Sequence, residues 1–422
     1  MVMLSRPFIA LYIAVFVATM GISMVSPLLP VYAEELGANG IWLGLTFSAF
    51  AIVQTICGPI VGRLSDRYPR KPFIIAGLVI YMIAALGYLT ATTFVQVIAF
   101  RAFSGVGTSM IFSVARAYVG DMTPRGHEGR WFGVFATADV IGFGSGPLVA
   151  GVIRQGIGFD AVFIAMALMM GASAAVVLFA LPRRQPVRER HWSDPAEPVR
   201  IPFRVALQDR LVLALTIHMA LISLSFGASL SFLGLRLEDD LGVSPTLVGL
   251  AFSTQDLTAG FAQPVFGRLA DRFERRRLVA SGVAGLGLML ITLGLVTVYP
   301  LVVVVLFMMG AMNSLAQVAA NAIQVVAGRR VGMGTVLGLG SAGNGIGIVT
   351  GSVVGGLLVN AFDTPAAFFF SGTAIALGAP IFLALTRGVA TSELVLEMSR
   401  EEEPQPVAQV RPADSGTVSG GC

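Results

Sequence analysis

Runs of about twenty apolar residues recur along this chain, each long enough to carry a helix across roughly 30 Å of hydrocarbon at about 1.5 Å per residue. Twelve are counted, at approximately 7 to 31, 42 to 61, 73 to 92, 95 to 117, 131 to 152 and 161 to 181, then 209 to 234, 246 to 266, 278 to 298, 300 to 327, 335 to 358 and 366 to 386. A backbone in lipid must satisfy its own hydrogen bonds, so these runs predict an all-α polytopic membrane protein of twelve transmembrane helices. The 422 residues would otherwise suffice for two or three soluble domains, but 55% hydrophobic against 12% charged residues excludes that. The first run already spans a bilayer, so no cleavable signal peptide is expected.

Arginine sets the orientation. One set of connections carries Arg63, Arg67, Arg70 and Lys71, then Arg125 and Arg130, then Arg183, Arg184, Arg188, Arg190, Arg200 and Arg204, then Arg268, Arg272, Arg275, Arg276 and Arg277, then Arg329 and Arg330. The alternate connections carry only Arg154 and Arg236. By the positive-inside rule the basic set is cytoplasmic, which places both termini inside a multi-pass protein of the plasma (inner) membrane. The net charge of +4 is thus read as topology and not as a nucleic-acid footprint. The connection 183 to 207, rich in Arg and Pro, divides an N-terminal six-helix bundle (1–182) from a C-terminal one (208–388). The polar, Pro-bearing stretch 389–422 reads as a disordered cytoplasmic tail. Two cysteines, Cys57 and Cys422, and three scattered histidines, His127, His191 and His218, build neither a disulfide framework nor a zinc motif, so no metal or cofactor is expected.

The two halves match at a shift of 205 residues: Gly37 falls on Gly242, Gly44 on Gly249, Phe47 on Phe252, Ser48 on Ser253 and Pro59 on Pro264. Gly62, Arg63, Leu64, Asp66 and Arg67 fall on Gly267, Arg268, Leu269, Asp271 and Arg272, a cluster that glycine abundance alone does not produce. Further on, Gly105, Gly133, Gly142, Gly146 and Gly151 meet Gly310, Gly338, Gly347, Gly351 and Gly356. Two parallel copies of one six-helix unit can hold a site at their interface, near the midplane, and expose it to each side in turn by rocking.

Several segments resemble the motifs of the major facilitator superfamily. Gly62-Arg63-Leu64-Ser65-Asp66-Arg67-Tyr68-Pro69-Arg70-Lys71 is similar to its loop after the second span, with Pro69 in place of the usual Gly, and Gly267 to Arg276 repeats it with Glu274 at that place. Arg101-Ala102-Phe103-Ser104-Gly105-Val106-Gly107 is similar to the superfamily's element in span four, with Ser104 replacing Gln. In span five, Gly133, Gly142, Gly146-Pro147 and Ala150-Gly151 resemble the antiporter motif of the drug:proton antiporter branch; Gly338, Gly347, Gly351 and Gly355-Gly356 repeat it without the proline. Glycines four apart permit close helix contact, and Pro147 removes a backbone bond. Ordinary small-residue packing accounts for the glycines but not for the whole spacing.

The resemblance implies a major facilitator fold and a cytoplasmic gate of Gly62, Asp66, Arg70, Asp121, Gly267, Asp271 and Arg275, in which Asp66, Arg70 and Asp121 form a charge network. Arg101, several residues inside the membrane, should face a partner or a cavity, or else snorkel to the outer headgroups. Counting along the helices places Asp139, His218 and Asp256 near the midplane, where burial favours the neutral form of a carboxyl group and a proton can bind from one side and leave to the other. Asp139, Asp256, His218 and Arg101 are therefore the proton-coupling candidates; interhelical hydrogen bonding is the alternative role of the first three. The acidic residue that many drug:proton antiporters carry in span one is absent between Arg6 and Glu34. Asn313, Gln317, Asn321 and Gln324 with Asn344 suit a binding cavity or act as helix glue, and Phe16, Met20, Phe226 and Phe232 would line it or face lipid. Altogether the resemblance implies a monomeric secondary transporter, not an enzyme, that exports hydrophobic or amphipathic small molecules in exchange for protons. An uptake symporter for a small nutrient or organic anion and a non-transporting receptor or scaffold are the competing readings.

Overall fold

The computed structural model describes residues 5–123, 127–182 and 203–387. These residues form helices joined by short connections, with no strand among them. The order is α1 (Arg6–Val25), α2 (Leu29–Glu35), α3 (Gly40–Ser65), α4 (Arg70–Leu89), α5 (Phe94–Met122), α6 (Glu128–Gly156) and α7 (Phe159–Ala180). Then follow α8 (Phe203–Ala206), α9 (Arg210–Leu235) with a π-helical turn Arg236–Asp240, α10 (Pro245–Arg272), α11 (Arg275–Leu295), α12 (Tyr299–Val331), α13 (Met333–Ala361) and α14 (Thr364–Leu385). Eleven spans, counting α1 with α2 and α9 with the π turn, are long and apolar enough to cross a membrane. The twelfth in order, α10, has 28 residues, but Gln255, Asp256, Gln263 and Arg268 dilute its apolar character; it is packed between α6 and α12.

Local chemistry sets the breaks. The expected first span, 7 to 31, is interrupted after Val25, where Pro27 cannot donate a helical bond and Pro30 opens α2. Asp209 caps α9 by accepting from the Leu211 and Val212 amides. Helices α3, α5 and α12 run beyond the apolar stretches, to Ser65, Met122 and Val331. The connection expected at 183–207 ends in the short α8, while residues 183–202 and the expected tail, with Cys422, lie outside the described residues.

The repeat governs the architecture. Helices α10, α11, α12, α13 and α14 each begin 205 residues after α3, α4, α5, α6 and α7. Gly37 and Gly242, matched by the same shift, both adopt positive φ, 89° and 61°, in the connection before the second span of each copy. Within the first lobe α1 packs on α6 and α7, and α4 on α5 and α7; in the second, α9 packs on α13 and α14, and α11 on α12 and α14. Two antiparallel pairs cross between lobes, α6 with α10 and α3 with α13.

These crossings are closest at the face opposite the one where α1 begins and α14 ends. A methyl group added at Gly249 would stand 2.2 Å from the Pro147 carbonyl oxygen, and one at Gly151 2.3 Å from that of Pro245. The repeat-related positions behave alike: Gly44 would meet the Ser352 oxygen at 2.1 Å and Gly356 the Gly40 oxygen at 2.6 Å. At the terminal face, by contrast, a methyl at Gly62, Gly133, Gly267 or Gly334 would meet nothing within 4 Å. The lobes are pressed together at the far face and parted at the terminal one.

Candidate functional site

Between the lobes lies a cavity of about 360 Å³, within the size range of small-molecule sites. Phe47 and Phe50 of α3, Phe112 of α5, Phe143 of α6 and Phe226 of α9 give it aromatic walls. Gln54, Gln255, Asn313, Gln317 and Asn344 bring neutral polar groups, and Arg101 is the one charged residue in its lining. The structure thus brings Phe226, Asn313, Gln317 and Asn344 to this wall from three helices of the second lobe, α9, α12 and α13. Phe16, Met20, Phe232, Asn321 and Gln324 lie outside its wall. Phe232 is fully buried against the Gly355 backbone, and Asn321 pairs with Gln317 on an exposed face of α12.

Arg101 does not snorkel. It is 1% exposed, donates from Nη1 to Tyr81 Oη (3.2 Å) and from Nη2 to Ser26 Oγ (3.1 Å), and sits 4.3 Å above the Phe50 ring centroid and 5.3 Å from that of Phe47. Its Nε has no partner.

The membrane-embedded acids occupy different settings. Asp139 of α6 accepts from Thr19 Oγ1 at 3.3 Å and pairs with Arg116 of α5 at 3.7 Å. Arg116 was not singled out from the sequence, although its place inside span four marks it by the same rule that marks Asp139. Asp256 of α10 has no hydrogen bond or ion pair among the described residues. It lies on the stretch where α10 crosses α6: Leu257 abuts Gly144, and Val140 abuts Gly260. His218 is 2% exposed, with both ring nitrogens unpartnered and Phe382 at 6.0 Å. None of the three lines the cavity.

At the terminal face Arg70, the first residue of α4, grips Asp121 at the end of α5 through Nε (2.5 Å) and Nη2 (3.2 Å), and reaches Asp66 at the end of α3 at 3.6 Å. One guanidinium thus ties three helix ends together. In the second copy Arg275 donates to the Ala270 carbonyl, while the side chain of Asp271 lies outside the described residues. A methyl group at Gly62 or Gly267 would have no neighbour within 4 Å, so neither gate glycine is in a close helix contact in this arrangement.

The far-face seal was not legible in the sequence. Arg154 of α6 is ion-paired across the lobes with Glu238 and lies 3.6 Å from Glu35, with its guanidinium 4.1 Å over the Phe159 ring. The Glu34 and Asp239 carboxyl groups approach each other across the same junction. Leu148 N donates to Ser253 Oγ at 3.1 Å, another bond between lobes. Arg236 instead caps α11 by donating to the Gly294 and Val296 carbonyls. Removing Arg154 leaves Glu238 part-buried without its cation, so Arg154→Gln is expected to loosen the seal by about tenfold in equilibrium. A cysteine replacing cavity residue Ser225, in a chain lacking Cys57 and Cys422, should then react correspondingly faster with an impermeant maleimide added at the far face. An unchanged rate would show that the pair does not hold the seal.

The pattern of the family described as Major Facilitator Superfamily matches residues 11–236 and 215–412, most of the chain. The chain belongs to the major facilitator superfamily. Membership makes it a membrane transporter and not an enzyme. Among superfamily relatives, multidrug resistance protein MdtG of Proteus mirabilis is 26% identical over 372 residues, 85% of this chain and 90% of that one. An uncharacterized MFS-type transporter of Methanocaldococcus jannaschii is 30% identical over 176 residues; that match spans 42% of this chain and only 45% of the relative. The superfamily fold is matched by the crystal structure of a bacterial homolog to the human lysosomal transporter Spinster, with a TM-score of 0.74 at 15% identity, covering 90% and 96% of the two chains.

Proposed function

We propose that this transporter exports hydrophobic or amphipathic small molecules in exchange for protons by alternating access. One observation carries the reading: an aromatic-walled cavity between two repeat-related lobes that are locked backbone to backbone at one face and parted at the other. Such an arrangement is one half of a rocking cycle. With the basic connections on the cytoplasmic side, the parted face is cytoplasmic, which suits loading of cargo from the cell interior. The relative named as a multidrug resistance protein supports efflux as the direction. Asp139 and Asp256 serve as proton carriers, and the Asp66–Arg70–Asp121 network holds three helix ends at the cytoplasmic face in position to meet the other lobe when that side closes.

The test is dye efflux from a drug-sensitive host expressing the chain, with and without an uncoupler. Energised cells are expected to extrude the dye and uncoupled cells to retain it. Efflux that survives collapse of the proton gradient would remove protons from the mechanism, and net uptake would reverse the direction.

A further inference from the structure

Resting on the export reading just given, we propose that the cavity selects amphipathic organic anions: molecules with an apolar or aromatic body and one carboxylate, sulfonate or phosphate head. Cations and neutral compounds are disfavoured. The first ground is the sign of the charge. Arg101 is a guanidinium nine-tenths and more buried, it lines the cavity, and no carboxylate lies within ion-pairing distance of it among the described residues. A buried cation without a counterion is retained at a cost, and a site that repays this cost with a bound anion explains its presence. The second ground is unspent hydrogen bonding. Tyr81 and Ser26 are neutral acceptors that take one bond each, while Arg101 Nε is left without a partner.

The third ground is what the rest of the wall lacks. No Asp or Glu lines the cavity, and Asp139 and Asp256 stand outside it, so a cationic head would meet Arg101 with nothing to offset the repulsion. Gln54, Asn313 and Gln317 bring amide donors to the same cavity, and the paired rings of Phe143 and Phe226, with centroids 6.1 Å apart, offer an aromatic surface for an apolar body. Rings at Phe47 and Phe50 stack on the guanidinium and keep water from it, which strengthens any charge-assisted bond that it makes.

A matched pair of dyes isolates the head group: 8-anilino-1-naphthalenesulfonate and its uncharged parent N-phenyl-1-naphthylamine, with ethidium as the cation. Binding is measured to the full chain in phosphatidylcholine nanodiscs after subtraction of empty discs, and transport in inverted vesicles. The wild-type protein should hold the sulfonate at least about tenfold tighter than the parent, against a bilayer that favours the parent. Arg101→Gln should erase that ratio, and Arg101→Lys, which keeps the charge but not the fork, should retain part of it. Equal or tighter binding of the parent or of ethidium to the wild type overturns the proposal whether or not either variant folds, as does failure to bind any of the three. Transport of ethidium alone overturns it while leaving the export reading intact; binding of the sulfonate without transport supports it and overturns that reading. Doping the discs with phosphatidylglycerol distinguishes the source. Competition with the dye points to an anionic lipid drawn from the bilayer and its absence to a soluble anion, and either result supports an anion site.

Discussion

Asp139→Asn is expected to reduce proton-driven efflux to the level left by an uncoupler, with the protein still present in the membrane. Asparagine keeps the shape of the side chain and can still accept from Thr19, so α6 should pack on α1 as before. What it removes is the ionised form that pairs with Arg116 at 3.7 Å. In the proposed cycle, protonation breaks that pair and deprotonation restores it, which ties the proton to the position of α5 against α6. A side chain fixed in the neutral state cannot perform the exchange. Exchange of labelled for unlabelled substrate down its gradient needs no net proton movement, and it should survive in the variant. Asp256→Asn is expected to act in the same direction through α10, which crosses α6 at Gly144 and Gly260. Normal uncoupler-sensitive efflux in both single variants and in the double variant would exclude the two acids as carriers.

The transmembrane framework was legible because the bilayer imposes a length on every apolar run, and because a duplicated unit leaves matched residues at one shift. That shift carries through to the helix starts at Gly40 and Pro245, and at Arg70 and Arg275. Span α10 was counted despite Gln255, Asp256 and Gln263, on its remaining apolar length. The facing of side chains was not legible, for a physical reason. In water a helix shows its inward side by contrast with a polar outer side, but in lipid both sides are apolar. Phe226 and Phe232 stand on one helix with equal hydrophobicity; the first reaches the cavity and the second is packed under Gly355. The far-face lock joins residues 84 positions apart, Arg154 and Glu238, and an ion pair between lobes leaves no local trace in either segment. Arg101 stands out by its depth and by the span-four motif; its aromatic stack on Phe47 and Phe50 comes from another helix.

Replacing Gly44 and Gly249 together by alanine is expected to trap the transporter with its far face parted and to abolish transport. The two positions are related by the repeat, and each lies where one lobe's backbone meets the other's. An added methyl would stand 2.1 Å from the Ser352 oxygen and 2.2 Å from the Pro147 oxygen, so neither can be accommodated without separating the helices. Overpacking of this kind costs about 1–3 kcal/mol per site. Since the sites act on one equilibrium, the pair contributes about 2–6 kcal/mol, and about 5.5 kcal/mol suffices to carry a two-state population from 99:1 to 1:99. Alanine at either position alone should give a partial shift. The readout is the cysteine at position 225, which should become reactive from the far face and lose reactivity from the terminal face. Gly77→Ala supplies the control: its methyl would meet the Gly107 oxygen at 2.7 Å, but α4 and α5 belong to the same lobe, so it should lower stability without moving the cysteine from one face to the other. A double variant that transports normally, or one whose accessibility changes no more than that of the control, would mean that these backbone crossings are not the surface on which the lobes separate.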